Sequence, residues 1–88
     1  MYLITGSRGQ LGQELAKLLP DAILTDADTL DITDSTAVNA FVREHTIDTI
    51  INCAAYTAVD RAEDDADVAH RVNVIGPENL AKSGARVV

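Results

Sequence analysis

The chain has 88 residues, 47% of them hydrophobic, and its 7 Lys and Arg against 14 Asp and Glu leave a net charge of −7. Apolar residues at that frequency exclude a disordered tail, and the length suffices for one small domain. An acidic balance with no basic stripe excludes nucleic acid as a partner, and no apolar run is long enough to span a membrane.

Tyr2-Leu3-Ile4-Thr5 predicts a buried strand that runs into the turn Gly6-Ser7-Arg8-Gly9. A helix follows from Gln10 to Leu19, with Leu11, Leu15, Leu18 and Leu19 on one face for burial and Pro20-Asp21 closing it. Ala22 to Thr25 forms a second short strand. Asp26 to Thr33 holds too many Asp and Thr to continue it and is expected to be a loop.

Asp34 or Ser35 caps the next helix, which carries Val38, Phe41, Val42 and His45 at helical spacing. Asp48 to Asn52 is a third strand. After an irregular stretch from Ala54 to Glu63, a helix is expected on Ala69, Val72, Asn73, Gly76 and Leu80, with Pro77 as a kink and Gly84 as its stop. Arg86-Val87-Val88 opens a fourth strand. Strands alternating with helices predict an α/β fold, a Rossmann-type parallel sheet with helices on both faces, truncated at the fourth strand.

Gly6, Gly9 and Gly12 stand at three-residue intervals between the first strand and the first helix. In that context the first permits a sharp turn, the second lets a pyrophosphate approach the backbone, and the third lets helix and strand pack closely. The amides of Gly9, Gln10 and Leu11 fall in the first helical turn, where unpaired donors and the macrodipole favour an anion. Asp26 follows the second strand, 20 residues after Gly6, where a dinucleotide fold sets a carboxylate against ribose hydroxyls; Asp28 is the alternative. Arg8 would pair with a 2′-phosphate and Asp26 would repel one, so NADH and NADPH both stay open as cofactors.

The lone Cys53 ends an apolar run and is expected to be a small buried residue without chemistry. With no disulfide partner and no signal peptide, the expected compartment is the cytoplasm. His45 and His70 have no partner at metal-ligand spacing, so no metal site is expected. The cluster Glu63, Asp64, Asp65 and Asp67 suits a helix N-terminus.

The pattern Thr-Gly-x-x-Gly-x-x-Gly resembles that of the extended short-chain dehydrogenase/reductases. Gly9-Gln10-Leu11-Gly12, Leu30-Asp31-Ile32-Thr33-Asp34, Asn52 to Asp60 with Ala62-Glu63, Val72-Asn73 and Gly76-Pro77 narrow the resemblance to the dTDP-4-dehydrorhamnose reductase family over nearly the whole chain. The resemblance implies pyrophosphate and ribose contacts at Gly9, Gln10, Leu11 and Asp26, and adenine flanked by Asp31 and Ile32. It further implies that Ala54, Ala55, Tyr56 and Thr57 run beside the nicotinamide half, that Val59 lies close to the nucleotide-sugar substrate, and that the full-length protein is a homodimer candidate. Asn73 either braces the active site, as in short-chain reductases, or joins helix to strand.

These reductases use a Tyr-x-x-x-Lys pair with a nearby Ser or Thr, and the chain departs from that pattern. Tyr56 is followed four residues later by Asp60, and Tyr2 by Gly6. Residues 1–88 are therefore expected to be the N-terminal part of a cofactor-binding domain, inactive alone, with the catalytic and substrate-binding parts beyond Val88. A non-catalytic dinucleotide-binding subunit, similar to the regulatory subunit of methionine adenosyltransferase, and a sugar-nucleotide epimerase or dehydratase are the alternatives.

Overall fold

The computed structural model describes residues 1–54 and 70–88. Among them the strands β1 (Tyr2–Thr5), β2 (Ile23–Leu24), β3 (Thr49–Asn52) and β4 (Arg86–Val87) form one sheet in the order β2-β1-β3-β4. Every pairing is parallel, with Leu3 opposite both Ile23 and Ile50, and Ile50 opposite Val87. Parallel neighbours need a crossover, and the helices α1 (Gln10–Leu18), α2 (Ser35–Glu44) and α3 (Gly76–Lys82) lie between the strands. The chain steps from β1 to β2 on one side and then returns past β1 to β3. The strand order reverses there, which in open α/β sheets is where ligands bind.

The two-residue alternation of β1 sorts its side chains between the faces. Leu3 joins Ile50, Val38 and Leu80 in the main core, so α2 and α3 cover one face. Burying side chains of this size stabilises by about 1.5–3 kcal/mol each. Ile4 points to the opposite face, where a right-handed crossover places α1, and it too is wholly buried. Asp34 caps α2, its carboxylate accepting the Ala37 amide at 3.2 Å. Val38 of that helix is buried, while Phe41 and Val42 pack against the core from a half-buried position.

The leucine face of α1 departs from expectation. Leu15 and Leu19 are half-buried, but Leu11 is 63% and Leu18 74% exposed. Helical periodicity defines an apolar stripe, but only a neighbouring element can cover it. β2 is also shorter than expected, although the Thr25 amide still donates to the Ile4 carbonyl at 3.0 Å and extends the pairing by one bond.

The expected last helix divides in two. Arg71–Ile75 form a π-helical turn in which the Gly76 amide reaches back to the Arg71 carbonyl, and α3 begins with Pro77 in its first turn. Proline lacks the N–H that a regular helix would donate there, so the irregularity falls before it. Gly84, at φ +95°, ends the segment in the left-handed region that glycine tolerates. No helix among the described residues is long and apolar enough to cross a membrane.

Candidate functional site

Two strand ends are tied together at the switch point. The Thr5 hydroxyl donates to Asn52 Oδ1 at 2.6 Å, and the Ala54 amide donates to the same oxygen at 3.2 Å. Directly after Thr5, Gly6 adopts φ +63°, and a Cβ on it would sit 2.6 Å from both the Ala54 nitrogen and the Cys53 carbonyl carbon. Only a residue without a side chain lets the turn press on the end of β3 this closely. Gly12 is needed for a second approach, since its Cβ would lie 2.5 Å from the Gly6 oxygen. Gly9 differs. Its Cβ would meet only the Gly6 oxygen, at 3.3 Å, so protein packing alone demands little of this position.

Gly9 is the N-cap of α1, and its amide donates to the Gly6 carbonyl at 3.1 Å. This corrects the expectation that the Gly9 N–H is a free donor: the turn consumes it. The amides of Gln10 and Leu11 open the helix with no preceding turn to bond, and no loop or turn bond among the described residues uses them. The Gln13 carboxamide donates to the Arg8 carbonyl at 2.7 Å, and the Ser7 amide to the Thr25 carbonyl at 3.0 Å. Both ends of the turn are therefore fixed.

A cavity of about 400 Å³ opens beside this turn at the carboxyl ends of β1, β2 and β3. Of the residues singled out in the sequence for the dinucleotide, Gly6, Arg8, Gly9, Asp26, Asp31, Ile32 and Ala54 line it. Asp26 is half-buried and held on both oxygens: Oδ2 accepts the Arg8 amide at 3.0 Å and Oδ1 the Ala27 amide at 2.9 Å. Thr29 closes the loop behind it, its hydroxyl accepting from the Asp26 amide at 2.8 Å. Asp31 Oδ1 accepts from the Thr33 amide at 2.9 Å and hydroxyl at 2.6 Å, which orients the next residue, Ile32, inward. The Asn79 carboxamide donates to the Ile32 carbonyl at 3.0 Å and fastens this wall to α3.

Gln10, Leu11 and Gly12 lie in the first turn of α1 without lining the cavity. Ala55, Tyr56, Thr57 and Val59, with the acid cluster, lie outside the described residues. Asn73 is exposed on the π-helical turn. Sequence reasoning missed Ala27, Leu30 and Val72, which add apolar wall. Leu30 and Val72 sit within stretches already singled out, but apolar side chains carry no local mark that separates a cavity wall from core. Cys53 is half-buried on the cavity wall rather than buried as expected, because the strand end it follows borders the crevice, and desolvation pushes its thiol up from the ordinary value. Asp28 lies outside the cavity wall and pairs with the Arg8 guanidinium at 2.6 Å. That bond raises the Arg8 pKa and holds the Asp28 carboxyl below its usual range.

An apolar slot, a fixed carboxylate and the start of a nine-residue helix thus share one crevice. Such a crevice suits an elongated ligand with an aromatic base, a hydroxylated sugar and an anion.

Comparison with known proteins gives the same direction. The family model described as RmlD substrate binding domain matches residues 1–88. The dTDP-4-dehydrorhamnose reductase of Mycolicibacterium smegmatis is 45% identical over 97% of this chain and 27% of its own length. The crystal structure of a dTDP-4-dehydrorhamnose reductase from Clostridium acetobutylicum matches with a TM-score of 0.89 and 47% identity, covering 98% of this chain and 34% of that one. The Bacillus anthracis dTDP-4-dehydrorhamnose reductase, solved in complex with NADP, matches at 0.87 and 41% identity, with 98% and 34% covered. The chain therefore spans about a third or less of the length of these relatives.

Proposed function

The chain belongs to the RmlD substrate-binding domain family, and on that premise we propose that it is the dinucleotide-binding front of a reductase that converts dTDP-4-dehydro-L-rhamnose to dTDP-L-rhamnose. The observation that carries this reading is the single cavity shared by the Gly6–Gly9 turn, Asp26 and the Asp31–Ile32 wall.

The chain's own residues bind and orient. The amides of Gln10 and Leu11, at the positive end of α1, receive the pyrophosphate, and Gly9 leaves it room. Asp26, immobilised by the Arg8 and Ala27 amides, accepts the hydroxyls of the adenine ribose. Leu30, Ile32 and Val72 take the adenine, with Asp31 at its edge. The family resemblance supports Ala54, Ala55, Tyr56 and Thr57 as the residues that would serve the nicotinamide half and Val59 as one that would serve the nucleotide sugar. NADH or NADPH supplies the hydride when bound. The general acid that protonates the sugar oxygen lies outside these residues, so this segment holds the donor without completing the reaction. The same reading extends to the cytoplasm as the compartment, with the full-length protein a homodimer candidate.

Oxidation of NADH or NADPH by the full-length protein with dTDP-4-dehydro-L-rhamnose tests the proposal. Turnover is expected. Tight dinucleotide binding without turnover would instead assign the protein to a regulatory role.

A further inference from the structure

Arg8 is held twice at the mouth of the cavity. Its backbone N–H donates to Asp26 Oδ2 at 3.0 Å, and its guanidinium pairs with Asp28 Oδ2 at 2.6 Å. Among the described residues that line the cavity, Arg8 is the one cation, and Asp26 beside it lines the same wall. One positive charge therefore sits between two carboxylates, with a net local charge of −1.

We propose that Asp28 governs the choice between a 2′-hydroxyl and a 2′-phosphate on the bound dinucleotide by holding the Arg8 guanidinium; this rests on the dinucleotide-binding reading above. A 2′-hydroxyl requires only an acceptor, which Asp26 provides while Arg8 stays with Asp28. A 2′-phosphate brings a charge of about −1.5 to −2 and needs a guanidinium to offset both itself and Asp26. Asp28 engages Nη2 and neutralises the Arg8 charge, so the phosphate gains the full cation when Arg8 leaves Asp28. The pair is well placed for such an exchange, because both side chains are largely exposed, at 70% and 57% of their surface, and an exposed ion pair is weak enough to be broken by a better partner. The guanidinium's hydrogen-bonded partner is Asp28 rather than Asp26, whose oxygens accept the Arg8 and Ala27 amides and keep lone pairs for the ribose hydroxyl. Asp28 is thus a specificity residue that touches neither nucleotide.

Dissociation constants for NADH and NADPH, measured by calorimetry on the full-length protein at fixed ionic strength, test this. Asp28→Asn should tighten NADPH about fivefold while leaving NADH within about twofold, the range set by one exposed ion pair. Arg8→Ala should weaken NADPH and spare NADH. In the double variant the Asp28→Asn gain should disappear, because Asp28 acts through Arg8; a gain that survives there would mean general charge repulsion and would overturn the proposal. An unchanged NADPH-to-NADH ratio in Asp28→Asn, with both nucleotides still bound, would overturn it while leaving the binding site intact. If the wild-type protein bound neither nucleotide, the site assignment itself would fail, and this inference with it.

Discussion

Thr5, 1% exposed, donates its hydroxyl to the Asn52 carboxamide oxygen at 2.6 Å across a register pair of β1 and β3. The bond locks the ends of the two strands that flank the switch point, and the Ala54 amide shares its acceptor. Asn52→Ala would strand a buried hydroxyl and free a backbone amide, at about 1–3 kcal/mol. Thr5→Val would remove one donor and leave the Asn52 oxygen on the Ala54 amide, at about 1 kcal/mol. Urea midpoints should therefore fall further for Asn52→Ala than for Thr5→Val, with an unchanged slope. The opposite order would mean that the carboxamide does not organise this junction.

The three glycines of the turn should separate by substitution. Gly6→Ala must place a Cβ at φ +63° and 2.6 Å from backbone atoms of residues 53 and 54, and Gly12→Ala must place one 2.5 Å from the Gly6 oxygen. Neither obstacle is a flexible side chain, so each variant should lose several kcal/mol, or about the whole stability of a small domain. Gly9 has φ −68° and ψ 166°, which any residue adopts, and a Cβ there has one contact at 3.3 Å. Gly9→Ala should melt within about 1 kcal/mol of wild type, as expected for a helix N-cap exchange, yet bind dinucleotide about tenfold more weakly, because its methyl group would stand where the proposed site receives the pyrophosphate. Thermal melts beside calorimetry check both halves. Equal losses of stability at all three positions would refute the division of roles.

Much of this arrangement was legible in the sequence because it depends on local rules. Gly6 and Gly12 announce a sharp turn and a close helix, the Asp34-Ser35 pair announces a cap that Asp34 supplies, and strands alternating with helices announce a sheet with two covered faces. The exposure of Leu11 and Leu18 was not legible, because it depends on what packs beside α1 rather than on α1 itself. Nor was the Arg8–Asp28 pair, which forms across 20 residues only after β1 and β2 align. The Gly9 amide misled for a related reason: counting orphan donors at a helix start ignores the turn before it, which here takes one of them.

Gly76 has an unexpected bearing on the cavity. It begins α3, and a Cβ there would lie 2.5 Å from Ile32 Cδ1 and 2.7 Å from its Cγ1. Ile32 forms part of the proposed adenine wall. Gly76→Ala should push a flexible side chain rather than backbone, costing about 1–3 kcal/mol as an overpacked contact. The displaced Ile32 should also weaken binding of adenosine-containing nucleotides about severalfold, while binding of nicotinamide mononucleotide stays unchanged. Equal losses for both ligands would show that the wall does not address the adenine half.

Cys53 should respond to pH through the partial burial of its thiol. Desolvation raises its folded-state pKa above the unfolded value, so the neutral form favours the fold. The sign follows from linkage: this contribution is complete below the unfolded thiol pKa, about 8.5, and is lost as pH rises through the higher folded value. Wild-type protein should therefore lose more urea resistance than Cys53→Ala between about pH 8 and pH 10, and the difference between the two isolates the thiol from Tyr and Lys titration. For the same reason alkylation by iodoacetamide at neutral pH should be slower in native than in urea-unfolded protein. Because Cys53 lines the cavity, bound dinucleotide should slow it further. Native and unfolded chains alkylating at one rate would show that the thiol is neither buried nor held in its neutral form.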